Sequence, residues 1–134
     1  MAILPSCLAL VPCDAVRSHP SGRRCTIFGA FHSVVVDQFP ASGDPFVIWC
    51  QVTDCKGEIV LRVAFEFLSE VSPDVELLWH AGRRIPNGDP RTIHDYRPTV
   101  PRIVLARRGE YRISLIANDH TILRRTFVVI EEDR

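Results

Sequence analysis

The chain has 134 residues, carries 16 lysines and arginines against 16 aspartates and glutamates, and is 46% apolar. This length is close to the most common size of one domain and allows a hydrophobic core without metals or disulfides. The formal net charge of zero disfavours nonspecific binding to DNA or to an anionic membrane, since both need a positive field. No apolar stretch is long enough to cross a membrane. We therefore expect one domain spanning residues 1–134, with neither a nucleic acid nor a membrane as its partner.

The first strand-like segments are separated by a turn. Residues 7–11 are predicted as a strand, and residues 19–22 have the turn sequence His-Pro-Ser-Gly. Residues 25–36 follow, rich in Thr, Ile, Phe and Val, with Gly29 inside the segment. An interior glycine usually marks a bulge or a close backbone approach, so we expect this segment to bend.

The clearest alternation of apolar and polar residues runs from residue 58 to residue 67. Its apolar face comprises Ile59, Leu61, Val63, Phe65 and Phe67. Residues 46–52 alternate in the same way, and residues 54–57 between the two segments end in a glycine, which favours a turn with positive φ. These segments predict a β-hairpin.

The C-terminal half contains a second predicted hairpin. Two short strands are expected at residues 75–80 and 102–106, and residues 111–115 alternate clearly. The sequence Asn-Asp-His at residues 118–120 then turns the chain into a β-branched run that ends at Ile130.

No segment shows helical periodicity with helix caps, and prolines interrupt the best candidates. About seven or eight short strands, each apolar on one face, predict an all-β fold: a single antiparallel two-sheet β-sandwich of immunoglobulin-like character. Tyr111 follows residues 108–110 and opens an alternating strand. This is the placement of a tyrosine corner, whose phenol bonds back to a nearby backbone group.

The cysteines favour a reducing compartment. The chain has 5 cysteines, an odd number for a disulfide framework in a chain large enough to fold without one. The N-terminus lacks the positive flank and continuous apolar stretch of a signal peptide. The spacings Cys7-x5-Cys13 and Cys50-x4-Cys55 differ from those of zinc sites, and the aspartates are scattered. We expect a cytoplasmic protein without a metal.

Residues 80–99 form the longest stretch without clear periodicity, and we expect an irregular loop there. Long loops often carry function, and arginine side chains hold carboxylates or phosphates through two parallel hydrogen bonds. The predicted partner-binding residues in this loop are Arg83, Arg84, Arg91, His94 and Arg97. The preferred interpretation is a non-enzymatic binding or assembly module, contacting a protein partner here or associating with itself through a sheet edge.

Two other classes of function stay open. A small hydrolase or lyase would use His80, His94 and Asp95, provided that the fold brings these side chains together. A C2-like sandwich would bind a metal or a lipid through its loops. The nucleophile elbow and the glycine-rich phosphate loops are absent from the sequence, so no catalytic residue and no cofactor is predicted.

Several short segments resemble an uncharacterised family of small bacterial β-sandwich proteins, a domain of unknown function. They are residues 12–17, residues 21–29, the Phe39-Pro40 step and residues 108–112. The resemblance covers roughly residues 8 to 130 and implies a β-sandwich, a cytosolic location and a bacterial source. It implies no active site. The chain departs from the family's usual glycine-lysine by having Gly22-Arg23, which keeps the positive charge.

Overall fold

The computed structural model describes residues 4–22, 24–69 and 72–132, and no helix is present among them. None of these residues therefore belongs to an apolar helix long enough to cross a membrane. The strands of the described chain are β1 (Ser6–Cys13), β2 (Ala15–Ser18), β3 (Cys25–Phe28), β4 (Ser33–Val36), β5 (Ala41–Ser42), β6 (Phe46–Thr53), β7 (Gly57–Leu68), β8 (Val75–Gly88), β9 (His94–Tyr96), β10 (Thr99–Val100), β11 (Val104–Leu105), β12 (Gly109–Ala117) and β13 (His120–Glu131). The predicted all-β fold is confirmed.

The largest sheet has five strands in the order β4-β13-β12-β7-β8. Its centre is formed by β7, β12 and β13, which pair antiparallel along most of their length. All five apolar residues of the alternating segment 58–67 are buried, so the predicted face of β7 is confirmed. Because every second residue of a strand lies on the same face, this alternation turns one side of the sheet towards the core.

One pair in this sheet is parallel, and the prediction of purely antiparallel sheets is wrong there. Val34 of β4 lies opposite Val129 of β13, and both strands run in the same direction. The expected bend in residues 25–36 is confirmed, because β3 ends at Phe28 and Gly29 has a φ of 65°. The bend allows the chain to leave β3 and enter the five-stranded sheet beside its last strand.

The second sheet is built on β6. One edge of β6 pairs with β1, and the other edge pairs with β9 and β10. β2 with β3 and β5 with β11 form two further, two-stranded sheets. The described residues thus form more strands and more sheets than predicted, because several connecting segments pair over only two to four residues. Segments this short show no alternation in sequence.

Only the C-terminal one of the two predicted hairpins is present, formed by β12 and β13. The hairpin predicted from residues 46–52 and 58–67 is wrong, because β6 pairs with β1, β9 and β10 whereas β7 pairs with β8 and β12. The turn between them exists, but it carries the chain from one sheet to the other, and alternation within a strand does not show which strand lies beside it. Gly57 begins β7 with a φ of 74°, as expected for the glycine that closes the first turn. Asn118 and Asp119 join β12 to β13 with φ of 47° and 66°. Two successive positive φ values are typical of the type I′ turn, whose twist matches that of the flanking strands.

A single apolar cluster contains buried residues of both large sheets, including Leu10 and Ile48 from one and Leu61 and Ile113 from the other. Phe46 of β6 contacts Phe65 of β7 with 5.8 Å between ring centroids. Since the rings belong to different sheets, the core lies between them.

The segment 80–99 differs most from its prediction. The expected strand 75–80 continues to Gly88 as β8, and the expected irregular loop shrinks to a turn at residues 89–93. β8 is an edge strand, and Ile85 is its one buried residue. Most residues beyond residue 80 of this strand are exposed, so they show little apolar alternation, which is why the sequence pattern missed residues 81–88. The turn then carries the chain from the five-stranded sheet to β9 and the sheet around β6.

Candidate binding surface

The crossing between the sheets is held by a local turn. The backbone N–H of Arg91 donates to Asp89 Oδ1 at 2.9 Å, and that of Thr92 donates to the carbonyl of Asp89 at 3.0 Å. An aspartate that bonds the backbone two residues ahead is a common device for starting a turn. The turn directs β9 onto the free edge of β6, where Asp95 lies opposite Gln51.

Asp95 accepts hydrogen bonds from side chains of β6. Trp49 Nε1 donates to Asp95 Oδ2 at 2.9 Å, and Gln51 Nε2 donates to the same oxygen at 3.4 Å. Trp49 and Gln51 are two residues apart, so they share the face of β6 that points away from the buried Cys50. The carboxylate of Asp95 therefore lies on the outer face of this sheet.

Two arginines are fixed by the same aspartate. Arg97 Nε donates to Asp95 Oδ1 at 2.6 Å, and Arg83 Nη1 donates to the main-chain carbonyl of Asp95 at 2.8 Å. Arg83 belongs to β8 and Arg97 follows β9, so the contacts join the edges of the two sheets. We call Trp49, Gln51, Arg83, Asp95 and Arg97 the Asp95 cluster.

The cluster keeps Asp95 ionised. Burial raises the pKa of this carboxyl, but the hydrogen bonds from Arg97, Trp49 and Gln51 outweigh burial and lower the pKa below its ordinary value. The hydrogen bond to Asp95 in turn raises the pKa of Arg97. Both groups are consequently charged at neutral pH, and the ionised carboxylate acts only as an acceptor.

The arrangement leaves guanidinium donors available to a ligand. The side chain of Arg97 is 29% exposed, and Arg83 is an exposed residue of β8. A guanidinium carries five N–H donors, of which Arg83 uses one in its bond to Asp95. Beside them lies the half-buried indole of Trp49. The cluster is suited to bind a carboxylate or another anion next to an aromatic surface.

The other predicted arginines lie elsewhere. Arg84 pairs with Glu58 of β7 at 2.9 Å, and it leaves β8 on the face opposite to its neighbour Arg83. Arg91 lies in the turn, where its side chain is 92% exposed and 3.5 Å from Asp89. Of the predicted arginines, Arg83 and Arg97 both contact Asp95, whereas Arg84 does not.

The histidines do not join the cluster. His94 lies opposite the buried Val52, so it faces inward, and its Nε2 is buried without a hydrogen-bond partner among the described residues. Asp95, the next residue, faces outward. His80 lies opposite Ala64 in the other sheet. Within the described chain no hydrogen bond or ion pair links any two of His80, His94 and Asp95.

The cysteines are all unpaired thiols. Burial raises the pKa of Cys50 well above its ordinary value, and burial likewise raises the pKa of Cys7 and Cys55. Thiols with raised pKa values are poor nucleophiles at neutral pH. No group of three His, Cys, Asp or Glu residues in the described part of the chain is placed to hold a metal ion.

Sequence reasoning missed Trp49 and Gln51 as members of the site. The alternation of residues 46–52 does indicate that both lie on one face of a strand. Their partner Asp95 is 46 and 44 residues away along the chain, however, and alternation within a strand carries no information about which distant strand lies beside it.

A family of unknown function, DUF6941, has a sequence profile that matches residues 8–130. The chain belongs to DUF6941. The predicted resemblance to a family of unknown function is confirmed over the span that was expected, residues 8–130. No curated protein sequence matches the chain.

Solved structures share only a distant likeness with this DUF6941 chain. The alkylpurine DNA glycosylase AlkC of Pseudomonas fluorescens, bound to DNA with an abasic site analogue, has 9% identity and a TM-score of 0.48 over 73% of this chain and 27% of its own. A β-glucosidase from Listeria innocua, in complex with isofagomine, has 9% identity and a TM-score of 0.49 over 78% of this chain and 15% of its own. A β-glucosidase from Kluyveromyces marxianus, in complex with glucose, has 19% identity and a TM-score of 0.44 over 80% and 16%. The chain thus spans less than a third of each, and likeness at this level assigns it no activity.

Proposed function

We propose that this chain is a non-enzymatic binding module and that the Asp95 cluster is its contact surface. The observation that carries the proposal is that Asp95 fixes both Arg83 and Arg97, with hydrogen bonds of 2.8 and 2.6 Å, beside the indole of Trp49. Side chains that are already held in place lose little conformational entropy when a ligand binds. Arginine and tryptophan are also the residue types most enriched among those that dominate binding energy at interfaces.

The chemistry of the cluster favours an acidic segment of a partner protein. The free guanidinium N–H groups of Arg83 and Arg97 match the two oxygens of a carboxylate, and the aromatic ring offers apolar contact beside them. Arg91 extends the positive charge into the exposed turn. His94 faces inward and supports β9 from the core side instead of meeting the partner.

The environment of Asp95 does not suit a catalytic base. Both carboxylate oxygens of Asp95 accept hydrogen bonds, and its pKa is lowered, so the group holds its proton weakly and serves to position the arginines. A general base acts best when its pKa lies near the working pH. We therefore infer that Asp95 positions Arg83 and Arg97 and does not act as a general base.

The two tryptophans of the chain allow a direct test. In a proton–nitrogen NMR titration with a hexaglutamate peptide, the indole signal of Trp49 should shift and saturate. Trp79 packs against the core from β8 and is the internal reference, so its signal should stay in place. A hexaglutamine peptide controls for length and backbone.

Variants connect the shift to the arginines. Arg83→Ala should weaken peptide binding by about tenfold, the effect expected for loss of a charge-assisted hydrogen bond. Arg124→Ala removes an exposed charge from β13, opposite Ser114 of β12, and should leave binding unchanged. Equal shifts at the two indoles, or equal affinity in both variants, would exclude this contact surface.

We further propose that the chain is a single domain with an immunoglobulin-like sandwich fold. The strand order β4-β13-β12-β7-β8 facing β1-β6 supports this, as does the apolar cluster shared by both sheets. The hydrogen bond from Tyr111 Oη to the Arg107 carbonyl is of the tyrosine-corner type. Unfolding transitions that coincide when followed by tryptophan fluorescence and by circular dichroism are expected for one domain.

We propose a bacterial cytoplasmic location. All five cysteines are free thiols, which suits a reducing compartment. Cell fractionation with an antibody against the native protein tests this location, and recovery in a membrane or secreted fraction would contradict it.

A further inference from the structure

A cavity of about 250 Å³ opens beside the core and shares no lining residue with the Asp95 cluster. Its walls come from β4, β6, β7 and β13 and from the segments around residues 14, 44 and 103. An engineered apolar cavity of about 150 Å³ is enough to hold benzene. This cavity therefore has room for one aromatic ring with a short substituent.

The interior of the cavity is aromatic. Phe31 packs edge to face against Phe46 at 5.2 Å and against Phe127 at 5.9 Å between ring centroids. Phe65 lies beneath them, stacked on Phe127 at 5.6 Å. Ring surfaces that line a concave space bind apolar and aromatic groups, and their faces also attract cations.

Backbone hydrogen bonds fix three of the residues that line the cavity. Phe31 N–H donates to the carbonyl of Pro12 at 3.1 Å, and Gly43 N–H donates to the carbonyl of Ile103 at 3.0 Å. Asp14 N–H donates to the carbonyl of Phe28 at 2.9 Å. These bonds tie the rim segments to one another, so little reorganisation is needed for a ligand to enter.

The ionisable side chains that line the cavity are both carboxylates, Asp14 and Asp44. Asp44 is 3.6 Å from Arg102 and 91% exposed, whereas Asp14 has no ion-pair or hydrogen-bond partner for its side chain among the described residues. Asp14 lies directly over Gly29, and a Cβ on that glycine would overlap its carboxylate. Because Gly29 has no side chain, the carboxylate of Asp14 can occupy this position at the mouth of the cavity.

We infer that this cavity is a binding site for a small amine with an aromatic or aliphatic body. The apolar part would lie among the phenylalanine rings, and the ammonium group would pair with Asp14 at the mouth. The carboxylate of Asp14, which has no partner among the described residues, repels an anionic ligand and leaves a cation as the matching charge, while Arg102 offsets the charge of Asp44. This site is separate from the Asp95 cluster and from the proposed protein partner.

The probe for the test is 2-phenylethylamine, with 2-phenylethanol as its neutral counterpart of the same shape. Binding is followed by the backbone amide signals of Ser33, Val34 and Gly43, which line the cavity. The amine should give saturable shifts at these residues. The alcohol should bind at least about tenfold more weakly, since it lacks the charge that completes an ion pair.

Substitutions separate charge from shape. Asp14→Asn should weaken binding of the amine by about tenfold while keeping the shape of the mouth. Asp37→Asn removes the same charge from an exposed residue outside the cavity and should bind as the wild type does. Val34→Phe fills the space and should abolish binding.

Three results would overturn the inference: no saturable shift with the amine, equal affinity for amine and alcohol, or equal affinity in Asp14→Asn and the wild type. If Val34→Phe fails to fold, Asp14→Asn still tests the inference, because that substitution changes only the charge of an exposed side chain. Since hexaglutamate binding at Trp49 is measured separately, the failure of one site does not imply the failure of the other.

Discussion

At the scale of single residues, Asp95 does the most to shape the candidate surface. It joins β9 to Trp49 of β6 and holds both Arg83 and Arg97 in place. Its side chain is 30% exposed, so part of its electrostatic interaction is screened by water. We therefore expect a modest contribution to stability and a larger contribution to the position of the arginines.

Asp95→Asn should lower the free energy of unfolding by about 1 kcal/mol at pH 7. Because the folded pKa of Asp95 lies below its unfolded value of about 3.9, its ionised form stabilises the fold above that pH. This stabilisation is lost as the pH falls through the folded pKa. The stability difference between wild type and variant should therefore shrink on acidification, as measured by urea unfolding across pH. A difference that stays constant down to about pH 2 would contradict this assignment.

Tyr111 shows what one hydroxyl contributes. Its Oη donates to the Arg107 carbonyl at 2.6 Å, so the predicted tyrosine corner has the expected bond, while its ring stacks on Phe65. Tyr111→Phe should lower the free energy of unfolding by about 1–2 kcal/mol, because the carbonyl loses its partner while ring packing is kept. Tyr96→Phe is the control, since the Tyr96 hydroxyl has no hydrogen bond to a described residue. Equal losses in the two variants would show that the corner adds nothing.

At the scale of elements, the C-terminal hairpin and the buried face of β7 could be predicted, whereas the separation of β6 and β7 into different sheets and the edge strand β8 could not. Residues 58–67 bury one face only, and their alternation is directly visible in the sequence. β8 lies at the edge of the same sheet with most of its residues exposed, and its pairing with β7 is interrupted by register shifts at Gly57/Ile59 and Phe65/Glu66. Each shift reverses the face on which the following residues lie, so no single period of two runs the whole length of the strand.

The end of β8 depends on a close backbone approach. A Cβ on Gly88 would lie 2.8 Å from the carbonyl oxygen of Cys55, a backbone atom that cannot move aside alone. Gly88→Ala should thus lower the free energy of unfolding by about 2 kcal/mol, as overpacking does. Gly43→Ala is matched to it, since its Cβ would make an ordinary 3.5 Å contact with Leu105. Thermal unfolding of both variants is the measurement. Equal melting temperatures would contradict the close approach of Gly88 to the backbone of Cys55.

At the scale of the whole molecule, the candidate surface exists because two sheets meet beside the crossing from β8 to β9. The arginines of the segment 80–99 are visible in the sequence, and they indicate that this segment carries positive charge. Only the fold determines that Arg83 and Arg97 meet at Asp95, while Arg84 faces away beside Glu58. The parallel pairing of β4 with β13 could not be predicted either, because alternation defines the faces of a strand and not its neighbours.

The most direct test of the binding role is comparative affinity capture from a lysate of the native organism, with quantitative mass spectrometry. The wild type is compared with the double variant Arg83→Ala/Arg91→Ala and with the control Arg102→Ala/Arg124→Ala, which removes the same charge from exposed residues elsewhere. We predict that a protein with an acidic segment is recovered with the wild type and the control and is lost from the Arg83/Arg91 variant, while all three melt at similar temperatures. An identical set of captured proteins for all three would contradict the account.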